Sequence, residues 1–166
     1  MGICYASLVS FINIYATELD LVNVATYFFL VYGACLFISR PFAGKLMDAK
    51  GDNIVIYPSL ILFALSLFIL SITHSGTMLL LAAVIAAFGF GTYMSSAQAI
   101  SAKIAPRKKI GLAVSTYYVG LDLGVGFGPF LLGFIIPLTG YNKMYGILAV
   151  LVVMLIVLYY SCHRIH

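Results

Sequence analysis

Continuous apolar runs fill most of the chain, and short clusters of charged and turn-forming residues separate them. A strand of a membrane barrel alternates apolar and polar residues, and the runs here show no such alternation. An apolar run of about 20 residues is long enough for a helix to cross a bilayer. The pattern therefore predicts six spanning helices, at residues 2–17, 24–42, 54–73, 77–99, 110–136 and 144–162.

The intervals between these runs are short and carry the turn formers and nearly all the charges. They cover residues 18–20, 44–53, 74–76, 103–109 and 137–143. Short connections make consecutive helices antiparallel neighbours. We expect an all-α polytopic membrane protein, with residues 1–166 forming one six-helix transmembrane domain.

The composition limits the class of protein. Of the 166 residues, 63% are hydrophobic and 8% charged, whereas soluble domains have about 45–50% apolar and about 25% charged residues. So few charges cannot cover the surface of a soluble protein, which excludes a soluble enzyme, a nucleic-acid-binding protein and a disordered chain. The expected environment is the lipid bilayer.

The basic residues predict the orientation, because cytoplasmic intervals collect Lys and Arg. Eight of the nine basic residues fall in or beside the second interval, in the fourth interval or at the C-terminus, and Lys143 is the ninth. We therefore expect both termini in the cytoplasm and the protein in the cytoplasmic (plasma) membrane. The first run lacks the basic lead of a signal peptide.

Neither cysteines nor histidines form a catalytic or metal-binding pattern in the sequence. The cysteines Cys4, Cys35 and Cys162 are isolated, and no histidine has a second ligand at helical spacing. No serine is paired with a base as a nucleophile would be. We expect no enzyme activity, no cofactor and no metal.

The second interval contains the pattern Gly44-x-Leu46-x-Asp48-x-x-Gly51, with Arg40 just before it. Gly44 would allow close helix approach, and Gly51 would allow a positive φ before the third helix. Asp48 could accept hydrogen bonds from a helix N-terminus or a basic side chain. A solvated turn with snorkelling cations is the alternative.

Glycines follow one face of the fifth run. Gly120, Gly124 and Gly128 are four residues apart, a spacing that lets membrane helices pack closely. Pro129 removes a backbone hydrogen bond and should bend the helix there, and Gly133 follows it. The segment is a candidate hinge or sealing surface, and ordinary close packing is the alternative.

Asp122 is the one charge placed well inside a predicted span. A carboxylate at mid-span costs about 2.5–3.5 kcal/mol on insertion scales. It must face a cavity, face a partner or carry a proton, which makes it the candidate for proton coupling. The alternative is a structural hydrogen bond to a neighbouring helix.

Five further residues are candidates for lining a substrate cavity. Asn13 and Gln98 could orient a substrate or serve as interhelical hydrogen-bonding groups. Tyr93, Tyr117 and Tyr118 lie inside predicted spans, and apolar cargo favours aromatic walls. Core packing or contact with lipid would explain the same tyrosines.

Both glycine segments resemble motifs of the major facilitator superfamily. The pattern at Gly44–Gly51 resembles the G-x-L-x-D-x-x-G signature between the second and third helices of a six-helix half. That family has a basic pair after the second glycine, whereas this chain has Asp52 and Asn53. Residues 124–133 are similar to the glycine–proline pattern on the fifth helix, best known from drug-proton antiporters.

The resemblance implies a secondary transporter that works by alternating access between two six-helix halves. This chain would be one half, with the C-terminal half favoured over the N-terminal one, and would need the missing half or a second copy. Its partners would be a small-molecule substrate, a drug or metabolite, and protons for efflux. The 44–53 segment would latch the cytoplasmic side. The rival interpretation is a non-transporting membrane protein or an inactive truncated gene product.

Overall fold

A computed structural model describes residues 1–163, except for the side chains of 48–50 and 162–163. Helices make up most of residues 1–163 and no strand occurs among them, which confirms the all-α prediction. The helices are α1 (Gly2–Glu18), α2 (Val22–Lys50), α3 (Asp52–Ser71), α4 (Gly76–Ala86), α5 (Thr92–Ile104) and α6 (Ile110–His163). A π-helical turn, Ala87–Gly91, joins α4 to α5, and a 3-10 turn, Arg107–Lys109, precedes α6.

The second connection is much shorter than the predicted interval of residues 44–53. Helix α2 continues to Lys50, and α3 begins at Asp52. Residues 44–50 contain no proline and several good helix formers, so nothing ends the helix before Gly51. Gly51 has φ 90° and ψ 166°, which confirms the positive φ expected there.

In place of the fifth predicted interval, residues 137–143, the structure has a single non-helical residue. Within the described part of α6, the non-helical backbone angles fall at Gly140, with φ 77° and ψ 166°. Pro129 keeps helical angles because its ring fixes φ near −65°, a helical value. The break in α6 therefore lies at Gly140, inside the predicted interval, and the bend expected at Pro129 stays a prediction.

The two arms of α6, residues 110–139 and 141–163, run in opposite directions. Just after the break, the ring of Tyr141 lies 5.8 Å from that of Tyr15, near the end of α1. Eighteen residues later, the Tyr159 hydroxyl donates to Asn53 Oδ1 at 3.0 Å, at the start of α3. We call these segments the first arm and the second arm.

Four described helical stretches are long and apolar enough to cross a membrane by length and composition. They are Val22–Met47, Asp52–Ser71, Gly76–Ile104 and Arg107–Ser161. The last of these contains both arms of α6, and α1 has 17 residues. The count of six spans, and the single six-helix domain over 1–166, remain predictions.

Buried tyrosines join α1 to α3 and to the second arm. The Tyr15 hydroxyl donates to the Leu70 carbonyl at 2.7 Å, and the Tyr145 hydroxyl donates to the Ser7 carbonyl at 3.2 Å. Both side chains are fully buried, so each hydroxyl needs such a partner. These bonds hold α3 and the second arm against α1.

Candidate functional site

A close seam forms where the first arm crosses the start of α1. A Cβ at Gly124 would lie 3.0 Å from the Gly2 Cα, and one at Gly128 would lie 2.7 Å from the Ala6 Cβ. Glycine is therefore required at these two positions for the helices to approach. Cβ atoms at Gly120 and Gly133 would meet nothing within 4 Å among the described residues. Of the four glycines predicted to form a packing surface, Gly124 and Gly128 pack against α1.

The predicted cytoplasmic motif does not pack as expected. Gly44 is exposed, and a Cβ there would meet nothing within 4 Å in the described structure, so no neighbouring helix requires a glycine at this position. Arg40 is exposed on the same helix. The side chain of Asp48 lies outside the described residues. The motif residue with a visible structural role is Gly51, which makes the turn.

Asp52 and Asn53 stand where the family motif has a basic pair. They bind residues near the ends of α5 and of the second arm. Lys103 Nζ lies 3.2 Å from both carboxylate oxygens of Asp52, which joins α5 to α3. Asn53 accepts the hydrogen bond from Tyr159, which joins the second arm to α3. We call this group the α3 clamp. Sequence reasoning missed Lys103 and Tyr159 as partners, although the change from a basic pair to Asp52 and Asn53 was a signal that different partners were needed.

Asp122 is exposed on the first arm, one turn after Tyr118. Together with Val119, Leu123, Gly126 and Phe127 it lines an open cavity of about 340 Å³. Within the described part of the chain, its carboxylate has no hydrogen-bond or ion-pair partner. A carboxylate in an apolar wall is left to interact with a proton, a ligand or another protein.

Three of the predicted cavity residues come together between α5 and the first arm. The Tyr118 hydroxyl donates to Gln98 Oε1 at 2.9 Å, and the neighbouring Tyr117 hydroxyl donates to the Met94 carbonyl at 3.3 Å. All four residues are half-buried. The polar groups of this pair of helices therefore bind each other, which leaves Asp122 as the unpaired group beside them.

Of the other two candidates, Tyr93 lies beside this group, next to Met94 and near Tyr117, and Asn13 lies apart from it. Tyr93 is half-buried on α5, with its ring centroid 6.4 Å from that of Phe90. Asn13 is exposed on α1, where its backbone carbonyl accepts from Thr17 at 2.9 Å. No hydrogen bond joins the Asn13 amide to another described side chain. The substrate-facing roles of all five residues stay predictions.

Acidic, cysteine and histidine side chains stay apart. Among the residues that the structure describes, no three of them could hold a metal ion together. Cys4 and Cys35 are free thiols on α1 and α2.

Comparison with known proteins gives a family and a set of relatives. A family model described as Major Facilitator Superfamily matches residues 1–164. The quinolone resistance protein NorA of Staphylococcus aureus strain N315 is 33% identical over 98 residues, which are 57% of this chain and 25% of the relative. NorA of strain MRSA252 is 32% identical over 98 residues, with the same coverage. The matched region thus spans a quarter of the length of these curated relatives.

Proposed function

The chain belongs to the major facilitator superfamily, a family of membrane transporters, and on that premise we propose that it is part of a secondary transporter that exports small drug-like molecules in exchange for protons. The observation that carries the proposal is the exposed, unpaired carboxylate of Asp122 in an apolar wall. Transport by a multi-pass membrane protein is the activity of the family. The substrate, the coupling ion and the direction are our proposal.

Proton coupling follows from the cost of an unpaired charge in this position. Inside a bilayer, an ionised Asp122 on this apolar wall would need a cationic ligand, water or a polar group from outside the described chain to stabilise it. Protonation removes the charge and that cost. Ionised and protonated Asp122 therefore favour different neighbours. An exchange of substrate for protons requires this property.

The proposed cargo is an apolar molecule with few polar groups. The wall around Asp122 is formed by Val119, Leu123, Gly126 and Phe127, which offer apolar contact. Ligand sites of this kind use apolar walls with a small number of polar groups that fix orientation. NorA, the relative that matches 57% of this chain, is named for quinolone resistance. Quinolones are the first compounds to test.

A second six-helix unit completes the proposed transporter. The face of the first arm that carries Asp122 and Phe127 is exposed in the described chain. Alternating access moves two such units around a central site. The missing half or a second copy of this chain would cover that face, and the close seam at Gly124 and Gly128 would keep α1 and the first arm together as the units rock.

The proposed location is the cytoplasmic membrane with both termini in the cytoplasm. The α3 clamp gathers Lys103 at the same end of the bundle as the end of the second arm. Arg107, Lys108 and Lys109 follow Lys103 directly along the chain. Basic residues at one end favour the cytoplasmic side for that end.

Uptake by everted membrane vesicles tests transport against the rival, a non-transporting membrane protein. Vesicles would carry the chain alone, or the chain fused to a complementary six-helix half of a S. aureus quinolone resistance protein. We expect a fluorescent quinolone to accumulate when the lumen is acidic, and Asp122→Asn and Asp122→Ala to remove that accumulation. Glu18→Gln, which changes an exposed acid at the end of α1, is the matched control. Accumulation at the level of empty vesicles in both preparations, with the protein present and folded, would favour the rival.

A further inference from the structure

A small cavity lies between α1 and α2 and shares no lining residue with the wall that carries Asp122. It has a volume of about 170 Å³ and is lined by Tyr5, Leu8, Val9, Phe28, Phe29 and Tyr32. Four of these six side chains are aromatic. None of them belongs to the glycine motifs or to the α3 clamp.

The cavity has the size of one aromatic ring. A cavity of about 150 Å³ lined by aliphatic and aromatic side chains is known to bind benzene. Val9 and Phe29 are exposed at 46% and 36%, so the cavity has an outer side through which a ring could enter.

Two of the lining residues, Tyr5 and Tyr32, carry a hydroxyl group, and the hydroxyl of Tyr32 is the buried one without a partner of good geometry. Its oxygen is buried and lies near the Tyr5 hydroxyl, but no described residue makes a hydrogen bond of good geometry with it. Buried hydroxyl groups without a partner are rare because they lose their hydrogen bonds to water. A ligand that brings an acceptor into the cavity would satisfy this hydroxyl.

Ring contacts with the core and between neighbouring residues fix the aromatic side chains that line the cavity. The Tyr5 ring stacks on Phe90 with centroids 4.2 Å apart and an interplanar angle of 5°. Phe90 is 1% exposed and packs against Phe63 in the core. The Phe28 and Tyr32 rings are also parallel, with an angle of 4°. Walls that are already in place cost a ligand little ordering on binding.

We propose that this cavity is a subsite for one aromatic ring of a small molecule that carries a hydrogen-bond acceptor, with the Tyr32 hydroxyl as donor. Stacking and apolar contact would hold the ring, and the hydrogen bond would select ligands such as aryl ketones over plain arenes. The identification of this ligand as transported cargo rests on the proposed function. The binding step itself does not.

Photolabelling of the purified chain in lipid nanodiscs tests the subsite without transport. Benzophenone is the probe, because it combines aromatic rings, a carbonyl acceptor and photochemical attachment, and labelled residues are located by mass spectrometry. Competitors are acetophenone, which has an acceptor, and ethylbenzene, which has none. The variants are Tyr32→Phe, which removes the hydroxyl, and Val9→Trp, which fills the cavity. Tyr27→Phe is the control, since Tyr27 lies on the same helix and is 59% exposed.

We expect the label on residues that line the cavity and its loss in Val9→Trp. Acetophenone should compete about fivefold better than ethylbenzene, the scale of one net hydrogen bond. Tyr32→Phe should abolish that preference and Tyr27→Phe should keep it. A label spread over outward-facing residues, or one that neither competitor displaces, would mean that lipid occupies the cavity and would overturn the proposal. So would a preference that survives Tyr32→Phe.

Transport and binding can fail separately. If vesicles move no quinolone while the label stays in the cavity, the subsite stands and the proposed function fails. If transport is intact and the label lies elsewhere, the subsite fails alone. Should Tyr32→Phe not fold, the position of the label in the wild-type chain and its loss in Val9→Trp still decide the proposal.

Discussion

Lys103 Nζ lies 3.2 Å from each carboxylate oxygen of Asp52, so the end of α5 is tied to the first residue of α3. The lysine side chain is 66% exposed and the aspartate side chain is 27% exposed. Partly exposed pairs of this kind contribute about 0.2–1 kcal/mol to stability. Asp52 also stands at a helix N-terminus, where a negative charge is favourable.

Asp52→Arg, which restores the basic residue of the family motif, should lower the free energy of unfolding by about 1–2 kcal/mol. It breaks the pair, places two cations together and puts a positive charge at the start of α3. Adding Lys103→Glu should recover the contribution of the ion pair to the free energy of unfolding. The loss caused by a positive charge at the N-terminus of α3 should remain. Denaturant unfolding in detergent measures both variants. A double variant no more stable than Asp52→Arg would contradict the ion pair.

Gly128→Ala should destabilise the seam between α1 and the first arm. The added methyl would lie 2.7 Å from the Ala6 Cβ and 3.2 Å from the Ile3 Cα, and overpacking of this kind costs about 1–3 kcal/mol. Gly120→Ala is the matched control, because a Cβ there meets nothing within 4 Å, and it should be neutral or slightly stabilising. Thermal unfolding compares them, and equal midpoints for the two variants would refute the close seam.

Gly89→Ala tests the contact of the π-helical turn with α3. Its methyl would lie 2.5 Å from the Phe63 backbone nitrogen, which cannot move without moving the helix. We expect a loss of about 3 kcal/mol, at the upper end of overpacking costs. Gly91→Ala meets the Leu36 Cδ1 at 2.8 Å, the end of a flexible side chain, and should cost less than about 1 kcal/mol. The reverse order of stabilities would show that the turn is not packed as described.

Tyr145→Phe removes the buried hydrogen bond from the second arm to α1. The hydroxyl donates to the Ser7 carbonyl at 3.2 Å, and its loss should cost about 1 kcal/mol. Tyr160→Phe, on the same arm and 55% exposed, should leave the unfolding midpoint within error. Calorimetry or fluorescence-detected unfolding measures the difference. A midpoint of Tyr145→Phe equal to that of wild type would rule out a contribution from this bond.

The sequence predicted the helices well because long apolar runs dominate the chain. The ends of α1 and α3 fall within a few residues of the predicted spans. The predicted C-terminal end of α2 was wrong because residues 44–50, a charged segment without proline, were interpreted as part of a turn although they favour helix. The break at Gly140 was assigned to a seven-residue interval because Pro137 and Gly140 both indicate a turn, while the glycine alone makes it.

The candidate site was only partly predictable, because spacing along one helix does not say which face meets a neighbour. Gly124 and Gly128 contact α1 and Gly120 does not, although all three share the same spacing. Asp122 was identified by its charge and by its place well inside a predicted span; it has no partner among the described residues, and its role in proton coupling stays a prediction. The cavity at Tyr32 was missed because its residues come from two helices and carry no motif.

Proton movement on addition of substrate tests exchange through Asp122 most directly. Everted vesicles that carry the chain with a complementary half are acidified inside, and a pH-sensitive dye follows the lumen while a quinolone is added. Export of the drug into the lumen in exchange for protons should raise the luminal pH, and Asp122→Asn should abolish that rise while Glu18→Gln keeps it. An equal rise with Asp122→Asn and wild type would contradict the account.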